Sequence, residues 1–200
     1  MCSKNIQRVS LILSCTFDGG IGYDATIPWN IHQDLKKFKK ITTTCNDSNK
    51  LNAVIMGRKT WESIPKYNRP LPERLNIILT TDYNYRLNSR NETENTLIAH
   101  TINGALAQCK RPYVENIFII GGAEIYKMFL RSDKYMALVD KIYLSVIFWD
   151  LYDINKYIPM NSIFEYFDII KDTEYQHESD ERLFASYICT PKYTKRRNSY

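Results

Sequence analysis

One acidic side chain lies among apolar residues in the segment IPWNIHQDLKKF, residues 27–38. A helix of 3.6 residues per turn that begins after the Pro-Trp pair places Asp34 inside an apolar stripe. The stripe consists of Ile31, Leu35, Phe38 and Ile41, and the lysines that we expect to point away from it into water are Lys36, Lys37, Lys39 and Lys40. A carboxylate withdrawn from water is costly unless it is paired or protonated, which makes Asp34 a candidate for proton chemistry. The alternative is an acid that the helix dipole favours in a first turn, whatever its function.

Two other segments have the pattern of a strand, a glycine turn and a helix start. GRKTWESIP, residues 57–65, adds Arg58, Lys59 and Thr60 to a helix N-terminus, whose unpaired N–H groups attract anions. FIIGGAEIY, residues 118–126, has two glycines that allow the phosphates of a ligand to approach the backbone. Each segment alone is also typical of an ordinary turn into a helix. Two of them in one small domain favour a dinucleotide, which carries phosphates at separated points.

Other signatures of ligand or metal chemistry are absent from the sequence. Neither GxGxxG nor GxxxxGK[ST] occurs, and GGIG, residues 19–22, is either a flexible loop that covers a ligand or a plain turn. The three histidines are scattered and form no nucleophile-base arrangement. The five cysteines show neither CxxC spacing nor a cluster with histidine, so we predict no disulfide framework, no metal site and a reducing compartment.

The elements that must position these residues alternate along the chain. Apolar runs that predict strands are VSLILSCTF, NAVIMG, RLNIILTT, NTLIAH, ENIFIIGG and DKIYLSVIF, and the amphipathic segments between them predict helices over 31–42, 59–65, 101–109 and 122–131. This alternation, within 200 residues of ordinary globular composition, predicts a single α/β domain with a central, mostly parallel sheet and flanking helices.

The last third of the chain changes character. Residues 166–174 and 182–193 predict two strands with no helix between them, and therefore an antiparallel edge of the sheet. The polar segment 82–95 and the irregular segment 149–162 are predicted to be surface loops. We expect one domain over residues 1–190 and a basic tail over 191–200.

The charge of the chain argues against nucleic-acid binding. The net charge is +5, of which four positive charges stand in the tail, at Lys192, Lys195, Arg196 and Arg197. The rest of the chain is nearly neutral, so no basic surface for nucleic acid is predicted. The apolar run over residues 9–17 is too short to cross a bilayer and lacks a cleavage site for a signal peptide. We therefore predict no membrane segment and a cytoplasmic protein.

Taken together, four motifs resemble the dihydrofolate reductase family. They are IPW with an acid five residues after the Trp, GRKTWESIP, RPLPERLNIIL and FIIGGAEIY, and the last three are most similar to fungal members. They occur in the family's order, and the resemblance extends from Leu11 to about Tyr187. It implies an NADPH-dependent oxidoreductase that converts 7,8-dihydrofolate to tetrahydrofolate, supports one-carbon metabolism and thymidylate synthesis, and is a target of antifolates.

The resemblance implies roles for residues on the substrate side. In the family the acid that matches Asp34 hydrogen-bonds the 2-amino group and N3 of the pterin and promotes protonation at N5, while NADPH delivers hydride to C6. Trp29 matches a tryptophan that holds a water beside the acid, and Ser145 replaces a threonine that hydrogen-bonds it. The implied substrate-binding residues are Ile12, Leu13, Asp34, Leu35, Phe38, Ser63, Ile64, Asn68, Arg74, Ile120 and Tyr126. Arg74 matches the arginine that clamps the α-carboxylate of the glutamate tail.

The resemblance also implies a cofactor site with several departures from the family pattern. The implied residues are Ser14, Gly20, Ile21, Gly22, Gly57, Arg58, Lys59, Thr60, Thr80, Thr81, Gly121, Gly122, Ala123, Glu124, Ile125 and Tyr126. Gly20 to Gly22 match the family's mobile loop, and Gly121-Gly122 match its cis peptide. Ser14 stands where alanine is usual, Thr80-Thr81 replace Ser-Arg, and His100 takes a position where arginine is often found. Preference for NADPH therefore depends more on Arg58 and on hydroxyl donors than is usual.

Three alternatives stay open on the sequence. The first is a reductase of another pterin, or of a pyrimidine in flavin synthesis, on the same fold. The second is a non-enzymatic binding module that holds RNA or a partner through the basic tail. The third concerns assembly: we expect a monomer unless the chain is fused to thymidylate synthase, as in protists, with the tail as the start of the junction.

Overall fold

A central sheet of eight strands forms the frame of the computed structural model, which describes residues 8–24, 26–87, 93–148, 153–173 and 184–192. The strands are β1 (Val9–Thr16), β3 (Leu51–Gly57), β4 (Arg74–Leu79), β5 (Thr96–Ala99), β6 (Val114–Ile119), β7 (Val139–Ile147), β9 (Phe167–Lys171) and β10 (Phe184–Pro191). Two short strands, β2 (Gly20–Gly22) and β8 (Lys156–Tyr157), pair separately.

The order of the strands confirms the predicted α/β fold. Across the sheet it runs β5-β4-β3-β6-β1-β7-β10-β9, with every pair parallel from β5 to β7. Strand β10 is antiparallel to both β7 and β9, which forms the predicted C-terminal edge. The helices are α1 (His32–Thr43), α2 (Arg58–Ser63), α3 (Ile102–Gln108), α4 (Ala123–Arg131), α5 (Asp133–Met136) and α6 (Met160–Tyr166). Among the described residues no helix is both long and apolar enough to cross a membrane.

The central strands are apolar on both faces because the sheet is covered on both sides. On one face a nearly inaccessible side chain from each of five strands builds the larger core: Leu11, Ile55, Ile77, Ile119 and Ile142. On the other face Ile12, Val54, Met56, Ile78 and Phe118 pack with Trp61 of α2. Uninterrupted apolar runs such as NAVIMG are the expected pattern for such doubly covered parallel strands.

One predicted loop contains regular structure that the sequence analysis missed. Strand β8 lies inside the segment 149–162 and pairs with β2, and helix α6 begins inside this segment at Met160. The prediction of an irregular loop is therefore wrong for residues 156–157 and 160–162. Pro159 stands immediately before α6, where a proline is compatible with a helix start, and Met160 and Ile163 bury the inner face of the helix. Parts of the predicted loops, of the predicted C-terminal strands and of the basic tail lie outside the described residues, namely 88–92, 149–152, 174–183 and 193–200.

Candidate active site

A cleft of ≈ 1540 Å³ opens between helix α1, the turns that precede α2 and α4, and the carboxyl ends of the central strands. Nearly every residue that the sequence analysis assigned to substrate or cofactor lines this single cleft. Among the described residues, the exceptions are Gly20 and Gly121. Gly20 packs behind the cleft: a Cβ there would lie 2.7 Å from both Thr16 Oγ1 and Ile154 Cγ2. The close packing around position 20 therefore explains why a glycine occupies it.

The carboxylate of Asp34 is held from the sheet by two serine hydroxyls. Ser145 Oγ on β7 donates to Asp34 Oδ1 at 2.6 Å, and Ser14 Oγ on β1 donates to Asp34 Oδ2. Ser14 and Ser145 are partners in the β1–β7 register, so the two donors stand side by side beneath α1. Hydroxyl groups that donate to a carboxylate stabilise its ionised form and fix its plane. The acid at the centre of the opening segment is thus half-buried, satisfied by hydrogen bonds and directed into the cleft.

Lys37 lies on the buried side of α1, so the prediction that it points into water is wrong. Its side chain is 2% exposed, and its Nζ donates to Ser186 Oγ at 2.7 Å and lies 3.4 Å from Asp172 Oδ2. Burial lowers the pKa of Lys37, and the charge of Asp172 acts in the opposite direction. The physical reason for the error is that residues one helical turn apart share a face, so Lys37 lies on the same side of α1 as Asp34. Ser186 on β10 and Asp172 just after β9 supply the partners that make a buried lysine tolerable.

Tyr126 connects helix α4 to the same region of the sheet. Its hydroxyl donates to the carbonyl oxygen of Ile12 at 2.7 Å, and the ring is 5% exposed. Burial raises the pKa of the Tyr126 phenol, so the hydroxyl stays protonated and remains a donor. Tyr126 therefore fixes the middle of β1 against α4 next to the cleft.

At the far side of α1, the guanidinium of Arg74 is positioned by the protein. Arg74 is the first residue of β4 and is 3% exposed. Its Nη1 donates to Thr42 Oγ1 at 2.7 Å, its Nε donates to the carbonyl oxygen of Pro72 at 2.9 Å, and the group lies over the Phe38 ring at 5.8 Å. Burial lowers the pKa of Arg74 to about 10, so it remains a cation at neutral pH. A fixed, charged guanidinium in a cleft is well shaped for a carboxylate.

The two glycine turns meet each other in the structure. The Gly57 N–H donates to the Gly121 carbonyl oxygen at 2.8 Å, and a Cβ on Gly122 would lie 3.0 Å from Thr60 Oγ1. The Gly121-Gly122 peptide is cis, as the resemblance implies. Because Gly57 and Gly122 occupy the N-cap positions of α2 and α4, neither helix start carries a capping side chain. The turns thus present two neighbouring helix N-termini to the cleft.

Charged and aromatic side chains flank these turns at the surface. Arg58 Nη1 donates to both carboxylate oxygens of Glu62 at 3.1 Å and lies 5.8 Å from the centre of the Tyr85 ring. His100 Nδ1 lies 2.9 Å from the Thr80 carbonyl oxygen, and its ring stacks on Tyr83 at 4.3 Å. A carbonyl oxygen only accepts, so Nδ1 carries the proton. Neither tyrosine was predicted from the sequence, because an Asn-rich polar loop gives no sign that its aromatic side chains pack on Arg58 and His100.

Comparison with known proteins identifies the family of this chain. The family model described as dihydrofolate reductase matches residues 8–191, which is nearly all of the chain. The chain belongs to the dihydrofolate reductase family. The resemblance that the motifs indicated is therefore confirmed, and the family match extends across both the acid on α1 and the joined glycine turns.

Individual relatives include both single-function and fused proteins. A putative dihydrofolate reductase from Caenorhabditis elegans is 37% identical over 147 residues, which are 72% of this chain and 73% of that protein. Dihydrofolate reductase from Aedes albopictus is 38% identical over 146 residues, 71% of this chain and 74% of that protein. Bifunctional dihydrofolate reductase-thymidylate synthase 2 from Arabidopsis thaliana is 39% identical over 142 residues, 69% of this chain and 25% of that protein. The matched region is between 25% and 30% of the length of this and two similar bifunctional relatives.

Proposed function

We propose that the protein reduces 7,8-dihydrofolate to tetrahydrofolate with NADPH. The observation that carries the proposal is a single cleft with two ends of opposite chemistry. One end holds the carboxylate of Asp34 by two serine hydroxyls, and the other presents two joined helix N-termini beside Arg58 and Lys59. A reductase of this kind needs a proton donor at one end and an anion-binding surface at the other.

Asp34 is proposed to bind and activate the pterin. With Oδ1 and Oδ2 each accepting one bond from the sheet, the remaining lone pairs of the carboxylate are available to a ligand with adjacent N–H donors. The 2-amino group and N3 of a pterin are such a pair. Asp34 then promotes protonation at N5, Trp29 borders the same end of the cleft, and Ser145 keeps the carboxylate in place. Fixing acid and substrate in one geometry is a large part of the expected rate enhancement.

Apolar side chains and one cation are proposed to bind the rest of the substrate. Leu35 on α1 is 53% exposed, and it lines the cleft together with Phe38 and Ile64, so its exposed face is available to a flat ring. Arg74 stands beyond them, held by Thr42, where it is proposed to bind the α-carboxylate of the glutamate tail. The further proposed substrate contacts are Ile12, Leu13, Ser63, Asn68, Ile120 and Tyr126, all of which line the cleft.

The residues around the glycine turns fit a nicotinamide dinucleotide. A Cβ on Gly122 would lie 3.0 Å from Thr60 Oγ1, so a residue larger than glycine would crowd the Thr60 hydroxyl beside this turn. Arg58, Lys59 and the N-termini of α2 and α4 would hold the phosphates of the dinucleotide. When bound, NADPH supplies the hydride that is transferred to C6 of the substrate. Preference for NADPH over NADH is proposed to depend on Arg58, Thr80 and Thr81, with His100 beside them.

Two other functions make different predictions. A reductase of another pterin or of a flavin-pathway pyrimidine has no glutamate tail to bind, and the buried, positioned guanidinium of Arg74 favours dihydrofolate over such substrates. A non-enzymatic module that binds RNA through residues 192–197 predicts no turnover and an affinity that falls steeply with salt. The charged cleft in the body of the protein favours the enzyme.

The proposals for the whole protein follow the same lines. We propose a reductase domain over residues 1–190, a basic tail over 191–200 and a cytoplasmic location. The protein is proposed to act as a monomer unless it is fused to thymidylate synthase, as some relatives are by name. The mass of the native product in the source cells tests this: about 23.6 kDa supports the single reductase, and a much larger product supports the fusion.

Absorbance at 340 nm tests the proposed activity. Purified protein is mixed with NADPH and dihydrofolate, with NADH and dihydrofolate, and with NADPH alone. We expect oxidation that requires dihydrofolate and a higher kcat/KM for NADPH than for NADH. Folded protein that shows no dihydrofolate-dependent oxidation would overturn the activity. Equal kcat/KM for the two cofactors would overturn only the preference for NADPH.

A further inference from the structure

Three neighbouring strands each carry a serine at the same level of the sheet. Ser14 on β1 pairs in register with Ser145 on β7, and Ser145 pairs in register with Ser186 on β10. All three hydroxyls reach side chains of α1, so we call Ser14, Ser145 and Ser186 the serine row. The row lies directly beneath the helix that carries the proposed catalytic acid.

The serine row divides its contacts between an acid and a base one turn apart. Ser14 and Ser145 donate to the two oxygens of Asp34, whereas Ser186 accepts from the Nζ of Lys37. Lys37 is in turn 3.4 Å from Asp172 at the end of the sheet. Helix α1 is therefore fixed to the row at two points, which prevents rotation of the helix from changing the direction of the Asp34 carboxylate.

Ser14 and Ser145 act on different oxygens of one carboxylate. Ser145 Oγ donates to Asp34 Oδ1, and Ser14 Oγ donates to Asp34 Oδ2, the oxygen that Ser145 does not reach. A second hydroxyl on a carboxylate restrains its rotation about the Cβ–Cγ bond and favours its ionised form.

We infer that Ser14 is a positioning residue for Asp34, and that its hydroxyl sets the pH range over which Asp34 supports reduction. The inference rests on the proposed function, because it assumes that Asp34 promotes protonation of the substrate. Because reduction adds a proton to the substrate, the rate of reduction falls when the pH becomes too high for that proton to be supplied. A hydroxyl that donates to a carboxylate favours its ionised form, so removing the Ser14 hydroxyl should move this fall in rate to higher pH.

The other titratable groups around Asp34 come from three elements. Lys37 on α1 interacts electrostatically with Asp34, and Asp172, which follows β9, forms an ion pair with Lys37. Tyr126 on α4 also interacts with Asp34, and its buried phenol keeps its proton. None of these groups is altered by a substitution at Ser14, so a changed pH profile reports the hydroxyl.

The test is the pH dependence of hydride transfer in single turnovers by wild type, Ser14→Ala, Ser14→Thr and the control Ser10→Ala. Ser10 is on the same strand, four residues before Ser14, so Ser10→Ala removes a hydroxyl from β1 that is not bonded to Asp34. NADPH deuterated at C4 checks by its isotope effect that the chemical step is observed. We expect the midpoint of the fall in rate to move about half to one pH unit higher in Ser14→Ala. Ser14→Thr and Ser10→Ala are expected to keep the wild-type midpoint.

The outcomes separate this inference from the proposed function. An unchanged midpoint in folded Ser14→Ala, with an active wild type and an impaired Asp34→Asn, would overturn the inference and leave the function standing. A wild type without dihydrofolate-dependent turnover would overturn the proposed function itself. Should Ser14→Ala fail to fold, Ser14→Cys replaces it, because a thiol is a weak donor and is expected to move the midpoint in the same direction. An unchanged midpoint in Ser14→Cys would then overturn the inference.

Discussion

Asp34 on α1 and Arg74 at the start of β4 border a part of the cleft where protein groups already hydrogen-bond to their polar atoms. Arg58 and Lys59 instead stand at the surface around the glycine turns. Arg74 is 3% exposed and hydrogen-bonded to Thr42, but the side chain of Arg58 is 38% exposed and pairs with Glu62 one turn away. We refer to these regions as the acid end, around Asp34 and Arg74, and the anion end, around Arg58 and Lys59.

This difference indicates which interactions bind a ligand at each end of the cleft. Groups at the acid end are oriented before a ligand binds, so their interactions are little screened and their loss is costly. Charges at the anion end are screened by solvent and salt, and each contributes little alone. The backbone N–H groups of the two helix starts therefore supply the constant part of the anion site, and the surface cations add to it.

Replacement of the acid at the acid end should have the largest effect. Asp34→Asn keeps the shape of the side chain but removes the ionisable group and one of the two oxygens that accept from the serines. We expect the rate of hydride transfer at pH 7 to fall about 1,000-fold. Binding of NADPH should change less than about twofold, because the hydrogen bonds of Asp34 run to Ser14 and Ser145 and not to Arg58, Lys59 or the glycine turns. Single-turnover oxidation and fluorescence titration measure the two quantities. Near-normal turnover would contradict the assigned role of Asp34.

Arg74→Leu should weaken binding of dihydrofolate through its glutamate tail. Loss of a buried, positioned guanidinium should raise the KM for dihydrofolate about 300-fold with a smaller change in kcat. Steady-state kinetics with dihydrofolate and with a dihydropterin that lacks the benzoylglutamate group make the test. The KM for the short substrate should stay the same. An equal increase for both substrates would instead indicate a general structural defect.

Lys37→Met should destabilise the fold far more than a matched change at the anion end. Removing the cation from the buried contact with Asp172 should lower the free energy of unfolding by about 3 kcal/mol, and Lys37→Met with Asp172→Leu should recover most of it. Arg58→Met, which breaks the exposed pair with Glu62, should cost less than about 0.5 kcal/mol. Urea unfolding compares the variants. Equal losses at both positions would remove the distinction between the two ends.

Arg58→Gln should produce the smallest of these effects. We expect the Kd for NADPH to rise about fivefold at low salt, because one surface cation beside the phosphates is lost. The Kd for NADH should rise less, and the difference should shrink in 0.5 M KCl as the charge is screened. Isothermal titration at two salt concentrations measures both. A salt-independent loss would place Arg58 among the buried, oriented groups instead.

The sequence predicted the elements whose pattern is local. The 3.6-residue period placed Asp34 on the inner side of α1, and the uninterrupted apolar runs predicted the parallel strands. The absence of a helix between the last two predicted strands predicted the antiparallel edge. The glycine turns at Gly57 and Gly121 were also visible, because a strand followed by glycine and a helix start is a local signature.

The contact of Ser145 with Asp34 followed from the family resemblance, but other contacts around α1 were not predicted, because they join distant parts of the chain. Lys37 meets Ser186 across 149 residues, and Tyr126 meets Ile12 across 114. Helix periodicity describes one element and contains no information about which strand lies beneath it. The same reason explains why Lys37 was predicted to face water, and why the serine row became apparent only from the register of three strands.

The most direct test of the central claim is the fate of label in a single turnover with dihydrofolate and NADPH deuterated at both C4 positions. The product is analysed by mass spectrometry and NMR. We expect tetrahydrofolate with one deuterium at C6, from the cofactor, and an exchangeable proton at N5, from the solvent. Absence of reduced folate, or a reduced product without deuterium at C6, would contradict the claim that this cleft carries out hydride transfer to dihydrofolate.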